Sequence, residues 1–211
     1  MSQDIYSERP LFGGAITSTF PLRFQDVSNI RQVPDHQEAF VDPARDESLI
    51  FELLEFKHEV GDNGSANWFL QDLATEQDAE GSMVIEQSGI IEAPGLCYRD
   101  TPAVVTTAVG QMAISKGRQG RDAQNIVRSA TPSSLGQVYV ANLRLKGVNT
   151  DVLITAYEPV HINPLSESAN TVGAGFAVPA VQSGHMPVAE VFKLAVSSFR
   201  VNDWNLFGSV A

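Results

Sequence analysis

Two apolar, β-branched segments joined by a very short link constrain this chain more than any other feature. Residues 138–145 and 151–158 alternate Val, Ile, Leu and Tyr with smaller or polar residues, the period-two signature of strands. Between them Lys146-Gly147-Val148-Asn149-Thr150 supplies glycine and asparagine, the residues that tolerate positive φ in a tight turn. So short a connection permits only antiparallel neighbours. Residues 83–91, 104–115 and 125–128 have similar composition, and shorter strands are expected in 13–21, after the Gly13-Gly14 pair, and from Glu38 to Val41. The sheet is therefore expected to be mainly antiparallel.

Helical spacing marks three further segments. From Asp46, Leu49, Ile50, Leu53 and Leu54 fall on one helical face with Glu52, Glu55 and Glu59 opposite, so a helix is expected up to Gly61, with Asp46 and Glu47 at its positive end. A second is expected over 65–80, with Trp68, Phe69 and Leu73 inward, and a third over 187–200, with Val188, Val191, Phe192, Ala195, Val196 and Phe199 on one stripe. Residues 129–136 and 163–184, rich in Ser, Pro, Gly and Ala without periodicity, read as irregular connections. Trp204 and Phe207 read as anchors for the C-terminal tail. The expected class is α+β, one domain over residues 1–211.

At 211 residues, 43% of them hydrophobic, the chain is long enough to bury a full core. A formal net charge of -11 argues against nucleic acid, whose phosphates need a basic face, and favours a basic protein partner. Cys97 is the only cysteine, so no intrachain disulfide is expected, and it reads as a small buried hydrophobe. No apolar run approaches the ~20 residues of a membrane span, and the acidic start around Asp4 and Glu8 is unlike a targeting segment. The expectation is a protein of nucleus and cytoplasm, without membrane insertion.

Motifs for covalent chemistry are missing from the sequence. It has no P-loop, dinucleotide turn or nucleophile elbow, and His36, His58, His161 and His185 lie outside zinc spacings, so neither cofactor nor metal is expected. Ser115-Lys116-Gly117-Arg118-Gln119-Gly120-Arg121 reads as an exposed basic hairpin loop. The distinctive stretch is 26–56, where Asp35, Glu38, Asp42, Asp46, Glu47, Glu52 and Glu55 have only Arg31 and Arg45 as neighbouring cations. Such a segment generates a negative field suited to gripping a basic partner. Pro34 takes the position a type I turn favours, which places Asp35 on an exposed bend, with Glu38 leaving it along a strand.

These residues also carry a resemblance. Pro10-Leu11-Phe12-Gly13-Gly14-Ala15-Ile16, the run 26–56 with its VPDHQEAFV string, Thr150-Asp151-Val152-Leu153-Ile154 and the closing Leu206-Phe207-Gly208 are similar to the Ran guanine-nucleotide release factor family, its plant branch in particular. The resemblance covers nearly the whole chain and is most specific in the N-terminal third. It implies an antiparallel sheet of about six strands flanked by helices on both faces, a three-layer α/β/α fold of PsbP-like type. It implies further that the protein binds the GTPase Ran, preferring the nucleotide-free form, and promotes nucleotide release in support of nuclear import, with Ran-binding proteins as accessory partners and no covalent chemistry of its own. An Asp and a Glu three apart serve Ran contact in the family, which maps the role onto Asp35 and Glu38, with Asp26 from the same string added. Two other classes compete: a cytosolic adaptor for membrane-protein trafficking, and a hydrolase using a His-acid pair such as His36 with Glu38.

Overall fold

The computed structural model describes residues 3–28, 30, 32–114 and 134–208. Among these residues thirteen strands form: β1 (Tyr6–Leu11), β2 (Ile16–Pro21), β3 (Gln25–Asp26), β4 (Gln37–Asp42), β5 (Glu47–Glu55), β6 (Val84–Ile91), β7 (Cys97–Tyr98), β8 (Thr101–Pro102), β9 (Val104–Ile114), β10 (Ser134–Leu145), β11 (Thr150–Ile162), β12 (Gly175–Phe176) and β13 (Arg200–Val201). The helices are α1 (Ser65–Glu76), α2 (Glu167–Val172) and α3 (Val188–Ser197). One eight-stranded sheet runs β3-β4-β5-β11-β10-β9-β6, with β12 beside β11. All its pairings are antiparallel. A smaller sheet of order β1-β2-β13 accompanies it.

The hairpin expected from the sequence forms as β10 and β11, in register from Leu145↔Thr150 back to Gly136↔Pro159. Its link is a 3-10 turn, Lys146–Val148, closed by Asn149 at φ 51°, a left-handed conformation that asparagine tolerates better than most side chains. The turn end of the hairpin holds a buried ion pair. Arg144 donates through Nε to Asp151 at 3.0 Å and through its other nitrogens to the carbonyls of Val60 and Lys57, with Phe56 stacked on its guanidinium at 4.1 Å. Each of its guanidinium nitrogens is thus bonded, as a side chain 1% exposed requires.

The helix expected from Asp46 does not form. Residues 47–55 are the strand β5, held between β4 and β11. A helical stripe of 49, 50, 53 and 54 strands Phe51 on the polar side, whereas alternation buries Leu49 and Phe51 together at 0% exposure. Phe51 packs in an aromatic cluster with Phe20 and Phe40, at centroid distances of 5.7 and 6.1 Å. Such ring pairs contribute about 0.5–1.5 kcal/mol beyond area, so tertiary packing overrides the local period. Asp46 and Glu47 consequently cap no helix: Asp46 occupies a turn at φ 56°, and Glu47 is buried at 1% exposure.

Other differences are smaller. Among the described residues the main sheet has eight strands where the resemblance implied about six, and two of them, β3 and β12, are ladders of two residues. The second helix stops at Glu76, not Glu80. Residues 163–184 carry α2, β12 and a 3-10 turn, Ala180–Ser183, rather than an unbroken irregular loop. Ser134, Leu135 and Gly136, expected in a loop, begin β10. Cys97 is half-buried, its thiol donating to the Arg99 carbonyl at 2.9 Å. The expected strand at 125–128 and the basic loop at 115–121 lie outside the described residues. Helix α3 buries Val188, Val191, Phe192, Ala195 and Val196 as its spacing predicts, and Trp204 packs against Tyr98 and Phe207. Among the described residues, no helix is long and apolar enough to cross a membrane.

Candidate partner-binding site

The acidic stretch divides into a neutralised half and an open half. Arg23, outside the stretch, donates from Nη1 to Asp42 at 2.7 Å and to Glu47, and from Nε to Asp4 at 3.2 Å. Arg45 donates from Nε to Glu47 at 2.8 Å and from Nη2 to the Val178 carbonyl. Asp42 and Glu47 are therefore interior ion-pair members at 4% and 1% exposure and present no charge to a partner. The sequence offered no sign of this, because Arg23 belongs to the turn after β2. Arg31 lies outside the described residues.

The open half lies at the outer edge of the sheet. Pro34 accepts the Gln37 N–H at 2.9 Å and closes the expected turn, leaving Asp35 exposed. Glu38 follows on β4, opposite Phe51 of β5, and is half-buried. Its Oε1 accepts the backbone N–H of Phe12 at 2.6 Å. Asp26, on β3, pairs with Phe40 of β4, and a strand alternates its faces, so Asp26 shares a face with Glu38 two residues away from Phe40. Burial and the neighbouring Asp26 charge together push the Glu38 carboxyl above the usual glutamate range, against the opposing Phe12 hydrogen bond. Asp26 is exposed and ordered by Ser28, whose N–H donates to it at 2.8 Å and whose hydroxyl also donates. Among the described residues, none of Asp26, Asp35 and Glu38 forms an ion pair.

All three predicted residues thus lie at the β3-β4 edge of the sheet: Asp26 and Glu38 share a face, and Asp35 projects from the turn before it. A feature the sequence did not signal is the Phe12–Gly14 turn beside Glu38, where Phe12 takes φ 49°. His36, considered as a base beside Glu38, stands instead 3.4 Å from Glu52 and is half-exposed. That arrangement is a solvated cross-strand contact.

Known proteins show which family this fold and sequence belong to. The sequence pattern of the family described as "Mog1: Ran-interacting Mog1 protein" matches residues 9–159. The chain is 32% identical over 202 residues to the Ran guanine nucleotide release factor of Danio rerio, covering 95% of this chain and 99% of that protein. It is 28% identical to the nuclear import protein mog1 of Schizosaccharomyces pombe, over 71% of this chain and 75% of that one. Among solved structures, the Saccharomyces cerevisiae Ran-binding protein Mog1p superposes with a TM-score of 0.63 at 22% identity, covering 98% of this chain and 100% of that one, and so shares the antiparallel fold. The chain belongs to the family of Ran-interacting Mog1 proteins.

Proposed function

We propose that this protein binds the small GTPase Ran through the acidic edge carrying Asp35, Glu38 and Asp26, and promotes release of Ran's guanine nucleotide in support of nuclear protein import. The observation that carries the reading is that Asp26 and Glu38 share one face, close enough to repel, and that among the described residues neither forms an ion pair. Two like charges held together are a cost in the free protein, and a Lys or Arg of a partner removes it on docking. The protein acts in nucleus and cytoplasm as a regulator, with no covalent step of its own, and prefers nucleotide-free Ran. A factor that bound filled and empty Ran equally would shift nothing. Linkage makes the effect reciprocal, so added GTP expels the protein from Ran. Ran-binding proteins are accessory partners in this reading.

The same reading takes residues 1–211 as one domain with helices on both sheet faces, the three-layer PsbP-like arrangement. Its support is alternation along shared strands: Val138, Val140 and Leu153 cluster with α1 residues, whereas Ala141, Leu143 and Ile154 cluster with α3.

The test is release of labelled GTP or GDP from Ran by the wild type, Asp35→Ala, Asp26→Ala and Glu38→Lys. Charge reversal at Glu38 is expected to slow release more than alanine does, because it adds repulsion to lost pairing. Unchanged release by every variant moves the site elsewhere, and failure of the wild type to bind nucleotide-free Ran ends the reading.

A further inference from the structure

The far edge of the main sheet is open. Among the described residues, strand β6 terminates it and pairs with β9 alone, and every β6 residue except Ile85 is exposed. Among these are Val84 at 62% and Ile90 at 66% exposure. Proteins usually blunt such an edge with a very short strand, lysine, proline or a bulge. The opposite edge does so, since β3 has two residues. Strand β6 has eight residues with no Lys, Arg or Pro. Its one irregularity falls at Glu86, between Ile85 and Gln87, where Gln111 and Gln137 donate to the carboxylate. Residues 87–91 continue in unbroken register with Val109 through Val105, so a regular stretch of backbone N–H and C=O groups faces outward with no paired strand among the described residues.

Charge selects the occupant. Between Lys57 and Arg99 the chain has no lysine or arginine, and exposed Glu80, Glu86 and Glu92 surround the strand. A second copy docked edge to edge places these acids against themselves, which disfavours self-pairing. A strand bearing lysine or arginine meets complementary charge. Ile90 and Ile91 offer apolar contact on opposite faces, opposite Thr106 and Val105 respectively, and Ile91 opens into a groove lined by Tyr6, Met186 and Leu194 and by Lys193, whose charge is paired with Glu190.

We propose that β6 is a second docking surface, which takes an extended segment of a partner protein, alternating apolar and basic residues, as an added strand along residues 87–91. Four strands separate it from β4, about 25 Å at the usual interstrand spacing, so it operates whether or not the β3-β4 edge is engaged.

The probe is a fluorescein-labelled peptide of alternating lysine and valine, titrated by anisotropy against the full chain. Two control peptides accompany it, one N-methylated at alternate residues and one with glutamate for lysine. Saturable binding is expected, weakened about tenfold or more by N-methylation, by glutamate or by Ile90→Lys, and unchanged by Glu38→Lys. Slowed amide exchange confined to β6 and its β9 neighbours is the expected structural signature. Equal binding of the N-methylated peptide, or loss through Glu38→Lys but not Ile90→Lys, overturns the proposal. So does concentration-dependent dimerisation of the free chain that protects residues 87–91, because it assigns the edge to a second copy. Since the Ran assay reads the opposite edge, either proposal can fail alone.

Discussion

The Phe12 amide donates to Glu38 Oε1 at 2.6 Å, tying the turn after β1 to the second strand of the main sheet. Phe12 has φ 49°, a conformation that bulky residues rarely hold unless the surroundings impose it. Glu38 is therefore both an open charge and a fastening. Glu38→Ala is expected to cost about 1 kcal/mol, the ordinary net worth of such a hydrogen bond. Glu38→Gln keeps an acceptor and loses the charge. Burial and Asp26 raise the Glu38 carboxyl in the folded state, so its contribution favours folding below its folded pKa and is lost as pH rises through it. Urea titrations across mildly acidic to neutral pH should show Glu38→Gln gaining on the wild type as pH rises while its Ran-dependent activity falls. A variant that keeps full release activity excludes the charge from contact.

The ion-pair cluster around Arg23 yields a larger effect. This guanidinium serves Asp4, Asp42 and Glu47, and its Nη2 also donates to the Met186 carbonyl at 2.9 Å. Arg23→Ala removes the cation that Asp4, Asp42 and Glu47 share, and removal of one member of a buried pair typically costs about 3–5 kcal/mol. Chemical denaturation should show that loss, with nucleotide release altered only in proportion to the unfolded fraction. A change below about 1 kcal/mol implies that water or rearranged side chains replace the cation.

This cluster also marks where sequence reading reaches its limit. Elements with a long period and local partners were legible: the β10-β11 hairpin, the stripe of α3 and the Pro34 turn each follow from residues adjacent in the chain. The identity of β5 was not, because Leu49, Ile50, Leu53 and Leu54 fit a helical stripe, whereas in the strand they divide between its two faces and Phe51 joins Leu49 beside Phe20. Asp42 and Glu47 read as surface charge for the same reason: their partner Arg23 lies 19 and 24 residues away and is brought to them by the fold. At the candidate site, sequence indicated that Asp35 would be exposed, whereas the Asp26-Glu38 juxtaposition required the β3-β4 register.

Acid sensitivity should pass through Asp4. Burial pushes its carboxyl up, but the Met186 N–H at 2.7 Å, His185 Nδ1 at 3.0 Å and the Arg23 charge outweigh that and hold it below the usual aspartate range. A depressed carboxyl contributes stability that is fully present above its unfolded pKa, about 3.9, and is lost as pH falls through the folded value. Asp4→Asn is therefore expected to be less stable than the wild type near neutrality and to converge with it at the acid end. Thermal unfolding midpoints between about pH 6 and pH 2 test this; a constant gap across that range assigns the effect to packing, not ionisation.

Gly136 gives the sharpest stability prediction because its space is already filled. A Cβ built there overlaps Cε2 of Tyr157. The ring cannot swing aside cheaply: Tyr157 is 6% exposed and packs in the cluster beneath α1 with Val138, Val140 and Phe69. The backbone is equally held, since β10 at this point pairs with Met112 on one side and Pro159 on the other, next to a register shift after Leu135. Gly136→Ala must displace the ring or open the ladder, and overpacking of this kind costs about 1–3 kcal/mol. The double variant Gly136→Ala with Tyr157→Leu removes the atoms that clash, so it should cost less than the sum of the two single changes, with a coupling of about 1 kcal/mol or more. Additive losses in urea denaturation place the strain in the backbone and remove the ring from the explanation.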